Sequence, residues 1–104
     1  MANYRRKLDI IADVLHATRT PVKKTGIMYK ANLSYELLCK YLHEVRSVAL
    51  VSFDTKMKRY VLTQKGEDFL EKYQDYTSWK EQVDEQISFV KSKRRALEQL
   101  CKGV

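Results

Sequence analysis

The chain has 104 residues, a length typical of one domain with at most a small appendage. Apolar residues make up 44% and aromatic residues 11%, which is the composition of a folded protein with a core. Lysine and arginine number 20 against 13 acidic residues, giving a net charge of +7. Short apolar runs and only two cysteines argue against a membrane-spanning, secreted or zinc-built protein, so we expect a cytoplasmic one.

The positive charge is concentrated in the first three-fifths of the chain. Residues 1–62 carry 12 basic and 5 acidic side chains, whereas residues 63–104 carry 8 of each. The whole surplus therefore lies in the first segment. This asymmetry is expected when one part of a protein meets a polyanion.

The first segment shows helical periodicity interrupted by short breaks. Apolar residues spaced three and four apart predict a helix from about Tyr4 to Ala17. A loop containing the single proline follows over residues 18–24, and Thr25 is a candidate cap for a short second helix. Ser34 is a candidate cap for a third helix that continues through Val45. Two short capped helices separated by a tight break are typical of a helix-turn-helix motif.

Strand-forming residues follow the third helix. Residues 48–53 and 59–63 predict two short strands, and the polar, basic loop 54–58 between them predicts a hairpin, or wing. Thr63 is a candidate cap for the last helix. Gly66 near the start of that helix can let it pass close to the sheet.

The last helix carries a heptad pattern, with no proline or glycine from residue 67 to residue 102. Its a positions hold Tyr73, Lys80, Ile87, Arg94 and Cys101, and its d positions hold Phe69, Tyr76, Val83, Val90 and Leu97. At 1.5 Å per residue such a helix is roughly 50 Å long. One small domain cannot cover it, so we expect a homodimer.

The charges on the seam favour an antiparallel pair. A parallel pair would stack Lys80 on Lys80 and Arg94 on Arg94 of the partner. The favoured register pairs Ile87 with Val90, Val83 with Arg94, Lys80 with Leu97 and Tyr76 with Cys101 across the dimer, and its flanks place Asp84 near Lys91 and Trp79 near Leu100. Shifting the register by one heptad in either direction brings like charges together on the flanks. The stated register is therefore modestly preferred over the shifted ones.

No arrangement of residues indicates catalysis. The sequence lacks a glycine-rich phosphate loop, a nucleophile elbow and a cluster of histidine and acidic residues. His16 and His43 lie on separate predicted helices, and Cys39 and Cys101 have no histidine beside them. We therefore expect no enzyme activity, no metal, no cofactor and no small-molecule substrate.

Basic and polar residues of the first segment are candidates for contact with double-stranded DNA. Those near the start of the predicted recognition helix are Asn32, Ser34, Tyr35 and Lys40. Those of the wing are Lys56, Lys58 and Arg59, and the rest of the surplus is Arg5, Arg6, Lys7, Lys23, Lys24 and Lys30. The alternatives are that Ser34 only caps its helix and that Tyr35 only packs. Glu36 and Glu44 argue against close contact along the whole of the third helix.

Two segments resemble a known family. Residues 24–35, with the sequence KTGIMYKANLSY, and residues 60–71, with the sequence YVLTQKGEDFLE, are similar to the Sulfolobus 10a family of small archaeal chromatin-associated proteins. The resemblance implies a homodimer joined by an antiparallel coiled coil and largely sequence-independent binding to double-stranded DNA. The chain departs from the family at Gly26, where arginine is frequent, and in the turn 46–49, which lacks the usual glycine.

We therefore expect a mainly α (α+β) fold, with a winged helix-turn-helix domain over residues 1–68 and a coiled-coil dimerisation helix over residues 69–104. The expected function is that of a nucleoid-associated architectural protein. It would bind duplex DNA and, as a dimer, bridge or compact the DNA. The main alternative is a sequence-specific transcriptional regulator built from the same parts. A protein-interaction module is a further alternative, since winged helices also mediate contacts without DNA.

Overall fold

The computed structural model describes residues 5–103. In chain order the elements are α1 (Lys7–Ala17), α2 (Lys24–Ala31), α3 (Tyr35–Ser47), β1 (Val51–Asp54), β2 (Arg59–Leu62) and α4 (Gln64–Leu100). This order confirms the predicted helix-turn-helix, wing and long final helix. The predicted start of the first helix, Tyr4, lies outside the described residues.

The first three helices enclose the core. Val14 and Leu15 on α1, Ile27 on α2 and Leu38 on α3 are fully buried and belong to one hydrophobic cluster. Each such side chain contributes about 1.5–3 kcal/mol when it is removed from water. The apolar stripes seen in the sequence are thus the faces that fix how the three helices pack.

The two predicted helix caps of the helix-turn-helix differ in outcome. The Ser34 Oγ accepts a hydrogen bond from the Leu37 N–H at 3.3 Å, so Ser34 caps α3 as predicted. The predicted Thr25 cap is wrong, because α2 begins at Lys24 and its N-cap residue is Lys23. Val22 exchanges two backbone hydrogen bonds with Tyr60. Because this pairing fixes the chain just before the helix, α2 begins at an earlier residue than the side-chain pattern predicts.

The wing is an antiparallel hairpin in which Val51 pairs with Leu62 and Asp54 pairs with Arg59. The predicted first strand begins too early, because residues 48–50 form a turn in which Ala49 has φ 62°. This turn overlaps residues 46–49, where the chain lacks the glycine that is usual in the family it resembles. At the other end, the Asp54 Oδ1 accepts the backbone N–H groups of residues 56 and 57, both at 2.9 Å, and orders the tip of the wing.

The start of α4 packs closely on the turn before β1. The Thr63 Oγ1 accepts a hydrogen bond from the Gly66 N–H at 3.1 Å, which confirms the predicted cap. A Cβ atom on Gly66 would lie 2.3 Å from the carbonyl oxygen of Leu50 and 2.4 Å from the Leu62 Cδ1. Only glycine permits this approach, as the sequence predicts.

The chain divides into two compact units, one ending at Tyr73 and the other beginning at Gln74. The first unit extends past residue 68 because Phe69, Leu70 and Tyr73 pack against its core. The second unit contains the rest of α4, which ends at Leu100. In the described part of the chain, no helix is both long and apolar enough to cross a membrane.

Ala49 gives a prediction for stability. Its left-handed conformation costs an alanine about 1 kcal/mol, a strain that a glycine at the same position avoids. Ala49→Gly should therefore raise the free energy of unfolding by about 0.5–1 kcal/mol, measured by urea denaturation, despite the added flexibility of the unfolded chain. Ala49→Val, which adds a branched side chain at the same φ, should lower it. A glycine variant less stable than the natural protein would contradict the strain at Ala49.

Candidate nucleic-acid interface

The turn of the helix-turn-helix is fixed by Arg5. Its guanidinium group donates to the Asp13 carboxylate at 2.8 Å and to the carbonyl oxygens of Ala31 and Asn32 at 2.6 Å and 2.8 Å. These carbonyls belong to the end of α2, where Asn32 adopts φ 53°. The sequence makes Arg5 a candidate DNA contact, but here it stabilises the geometry between α2 and α3.

Two other cations of the amino-terminal part lie at the start of α1. Arg6 is exposed, and its backbone N–H donates to the Asp9 side chain at 3.0 Å. The Lys7 Nζ lies 3.5 Å from the Glu44 carboxylate of α3. Lys7 thus partly neutralises one of the two glutamates of the recognition helix.

Around the start of α3 the candidate residues lie together. The Lys24 Nζ is 5.2 Å from the centre of the Tyr35 ring, which is 60% exposed. Tyr35 therefore does not pack in the core. The neighbouring Cys39 sulfur, followed by the Tyr35 hydroxyl group, raises the pKa of the Lys24 ammonium group.

The remaining candidates of the helix-turn-helix are on the surface. Lys23, Lys30, Asn32 and Lys40 are all exposed. Lys23 and Lys30 lie at the two ends of α2, and Lys40 lies above the Tyr41 ring at 5.3 Å. Ser34 acts as the cap of α3, with its hydroxyl oxygen occupied by the Leu37 N–H.

The wing presents two exposed lysines. Lys56 and Lys58 lie in the turn between β1 and β2, with Lys58 at φ 54°. Arg59 donates to the carbonyl oxygens of residues 57 and 58 at 3.0 Å and 3.3 Å, so part of its donor capacity is used to hold the turn. The lysines are therefore the free charges of the wing, and Arg59 helps to shape it.

A surface pocket beside the recognition helix was not predicted from the sequence. It has a volume of about 360 Å³ and is lined by Lys24, Cys39, Leu42, His43, Arg46, Ser47 and Tyr60. Among residues 5–103, no acidic side chain lines it. The spacing of residues 35, 39, 43 and 46 could have indicated this second face of α3, since steps of three and four return to one side of a helix.

The second unit exposes the predicted coiled-coil seam. Its apolar exposed residues on the seam and its flank are Tyr76, Trp79, Val83, Ile87, Val90, Leu97 and Leu100, and its exposed polar ones are Lys80, Asp84, Lys91, Arg94 and Cys101. Tyr73 differs, because it is half-buried against the core of the first unit and its hydroxyl group donates to Asp9. The exposed seam thus begins at Tyr76.

The paired helices α2 and α3, a two-stranded wing and a connected long helix define a winged-helix protein. The model of the winged helix-turn-helix family matches residues 4–81, and the chain belongs to that family.

Solved structures share this fold over nearly the whole chain. Sso10a-2, a DNA-binding protein from Sulfolobus solfataricus, superposes with a TM-score of 0.69 at 20% identity, covering 96% of this chain and 100% of that one. This match confirms, at the level of the fold, the resemblance to the Sulfolobus 10a family. ZitR from Lactococcus lactis in complex with DNA also matches, with a TM-score of 0.52 at 14% identity, covering 95% of this chain and 79% of that one.

The zinc-dependent MarR family transcriptional regulator AdcR has a TM-score of 0.54 at 14% identity, covering 96% of this chain and 76% of that one. Identities this low establish a common fold. No curated protein sequence matches the chain significantly.

Proposed function

We propose that the protein binds double-stranded DNA through its first unit, largely independently of sequence, and acts as a non-enzymatic architectural protein of the nucleoid. One observation carries the proposal. Within residues 5–103, the exposed lysines of α2, of the first half of α3 and of the wing have no carboxylate partner. These are Lys23, Lys30, Lys40, Lys56 and Lys58. Unpaired cations on one small unit are what a polyanion binds.

The kind of charge favours contact with the backbone. A lysine is a flexible point charge that neutralises phosphate without a fixed geometry, whereas asparagine and glutamine read adenine through two hydrogen bonds of fixed geometry. In the described chain, Arg5 and Arg59 direct hydrogen-bond donors to the protein itself. The unpaired surface is thus made chiefly of lysine. Sso10a-2, described as DNA-binding, supports the same function through its fold.

A sequence-specific transcriptional regulator is the second candidate. AdcR, a transcriptional regulator that shares the fold, favours this candidate. Asn32 at the turn before α3 is an exposed side chain of a base-reading type. A regulator should prefer its own site over scrambled duplexes by about 10³-fold or more, whereas an architectural protein should bind them alike.

The wing gives the test of DNA binding. If a dimer neutralises about 6–8 phosphates, log K should fall against log salt with a slope of about −5 to −7. The triple variant Lys56→Ala, Lys58→Ala, Arg59→Ala should weaken binding to all duplexes and flatten this slope by about 0.9 for each phosphate that it no longer neutralises. Fluorescence anisotropy at several salt concentrations measures both quantities.

The matched control removes three charges elsewhere. Lys72→Ala, Arg95→Ala, Lys102→Ala alters the net charge equally but changes exposed residues outside the proposed interface. It should retain most of the affinity and nearly the full slope. Equal losses of affinity in the two triple variants would mean that net charge alone drives binding, and would remove the wing from the interface.

We also propose that a second copy of the chain covers the exposed seam of α4. Val83, Ile87, Val90 and Leu97 are each 46–65% exposed, and an isolated helix has no other means of burying them. In the antiparallel register, Lys80 and Arg94 each face an apolar residue of the partner along which their stems can lie. Asp84 is then near Lys91 of the partner, which adds a modest attraction.

Disulfide crosslinking tests the dimer and its direction. In a background with both natural cysteines replaced by serine, two single variants, Lys80→Cys and Leu97→Cys, are oxidised alone and as an equal mixture. The two positions are about 25 Å apart along the helix. Because a disulfide needs Cα atoms within about 7 Å, the antiparallel dimer predicts crosslinking only in the mixture.

Efficient disulfides in each variant alone would mean a parallel pair. No crosslinking in any sample, with a monomer mass in sedimentation, would remove the seam as a dimer interface.

A further inference from the structure

The pocket between α2, α3 and β2 has the properties of an anion site. Its charged lining residues are Lys24 and Arg46, and His43 adds a third nitrogen-bearing side chain. No carboxylate lines it, and no ion pair of the described chain involves Lys24 or Arg46. Two cations at one concave surface repel each other unless an anion lies between them.

Arg46 is held in place without using its hydrogen-bond donors. Its guanidinium carbon lies 5.8 Å from the centre of the Phe53 ring and 5.7 Å from the centre of the Tyr60 ring. These rings lie on paired strands and contact each other, with centres 4.9 Å apart. Within residues 5–103, no hydrogen bond engages the guanidinium. Its donors are therefore free, while the cation–π contacts restrict its position.

We propose that this pocket binds one phosphodiester group of duplex DNA, with Arg46 as the bidentate donor and Lys24 as the second charge. The planar fork of an arginine matches two phosphate oxygens, and fixing the side chain in advance lowers the entropic cost of binding. The pocket lies beside the middle and the end of the recognition helix, from Cys39 to Ser47, and involves the wing strand through Tyr60. It therefore adds a backbone contact between the two elements that the proposed function already uses, and it rests on that function.

Substitution of Arg46 is the first arm of the test. Arg46→Gln should weaken binding of a scrambled duplex about tenfold at 0.1 M salt and reduce the magnitude of the salt slope by about 1 for each site. The affinity of Arg46→Lys should lie between those of Arg46→Gln and the natural protein, because lysine keeps the charge but lacks the planar guanidinium fork. Arg19→Gln is the matched control, since Arg19 is exposed, lies outside the pocket and pairs with Glu67 at 3.8 Å. It should bind like the natural protein.

Cys39 supplies a second arm that leaves the charged groups of the pocket intact. It lines the pocket and is partly exposed, and in a Cys101→Ser background it is the only thiol. Saturating duplex should slow its reaction with N-ethylmaleimide several-fold. Protection by inorganic phosphate but not by duplex would assign the pocket to a free anion and overturn the proposal.

The outcomes separate this proposal from the proposed function. If the natural protein binds duplex but Arg46→Gln binds equally well and Cys39 reacts at an unchanged rate, DNA binding stands and the pocket contact is wrong. A weakened Arg46→Gln with unprotected Cys39 would place the arginine contact outside the pocket and also overturn the proposal. Failure of the natural protein to bind any duplex would instead refute the proposed function.

Discussion

The architecture of the first unit depends on how residues 63–66 satisfy the turn that precedes the wing. That turn leaves three successive carbonyl groups, of residues 48, 49 and 50, outside any regular element. The Lys65 Nζ donates to the first at 2.7 Å and the Thr63 Oγ1 to the second at 2.6 Å, while the Thr63 N–H reaches the third at 3.2 Å. Gly66 makes this possible, because any side chain there would collide with the third carbonyl. One short segment thus ends the wing, begins α4 and fixes the turn.

This junction engages one of the cations of the first unit in a contact within the protein. Lys65 is committed to it, just as Arg5 is committed to the end of α2 and Arg59 to the tip of the wing. The fold therefore divides its cations into two groups. Those with partners shape the helix-turn-helix and the wing, and the unpaired lysines lie on the elements so shaped. The cations of residues 1–62 thus include some that bond to the protein itself and some that are exposed without a carboxylate partner within residues 5–103.

Local signals in the sequence were enough for most of the fold. The caps at Ser34 and Thr63 and the close approach at Gly66 depend on residues near one another in the chain, and the structure confirms them. The start of α2 was predicted wrongly because a distant contact decides it, the pairing of Val22 with Tyr60.

The candidate site was predicted less completely than the fold, for the same reason. The positions of Lys56 and Lys58 follow from a hairpin that the sequence shows directly. The role of Arg46 depends on Phe53 and Tyr60, two residues brought beneath it only when the wing folds against α3. Likewise, the sequence could not separate Arg5 from the other cations, because its partners lie at the end of α2.

The central proposal, that this chain binds duplex DNA without regard to sequence and pairs through its last helix, is tested most directly by capture of one duplex through another. A biotinylated duplex is fixed on beads, the full-length protein is bound, and a fluorescent duplex of unrelated sequence is added at low salt. Two DNA-binding units per dimer predict that the fluorescent duplex is retained, and that excess unlabelled duplex of any sequence releases it. Protein that binds the fixed duplex yet retains no second one, or retains only one particular sequence, would contradict the account.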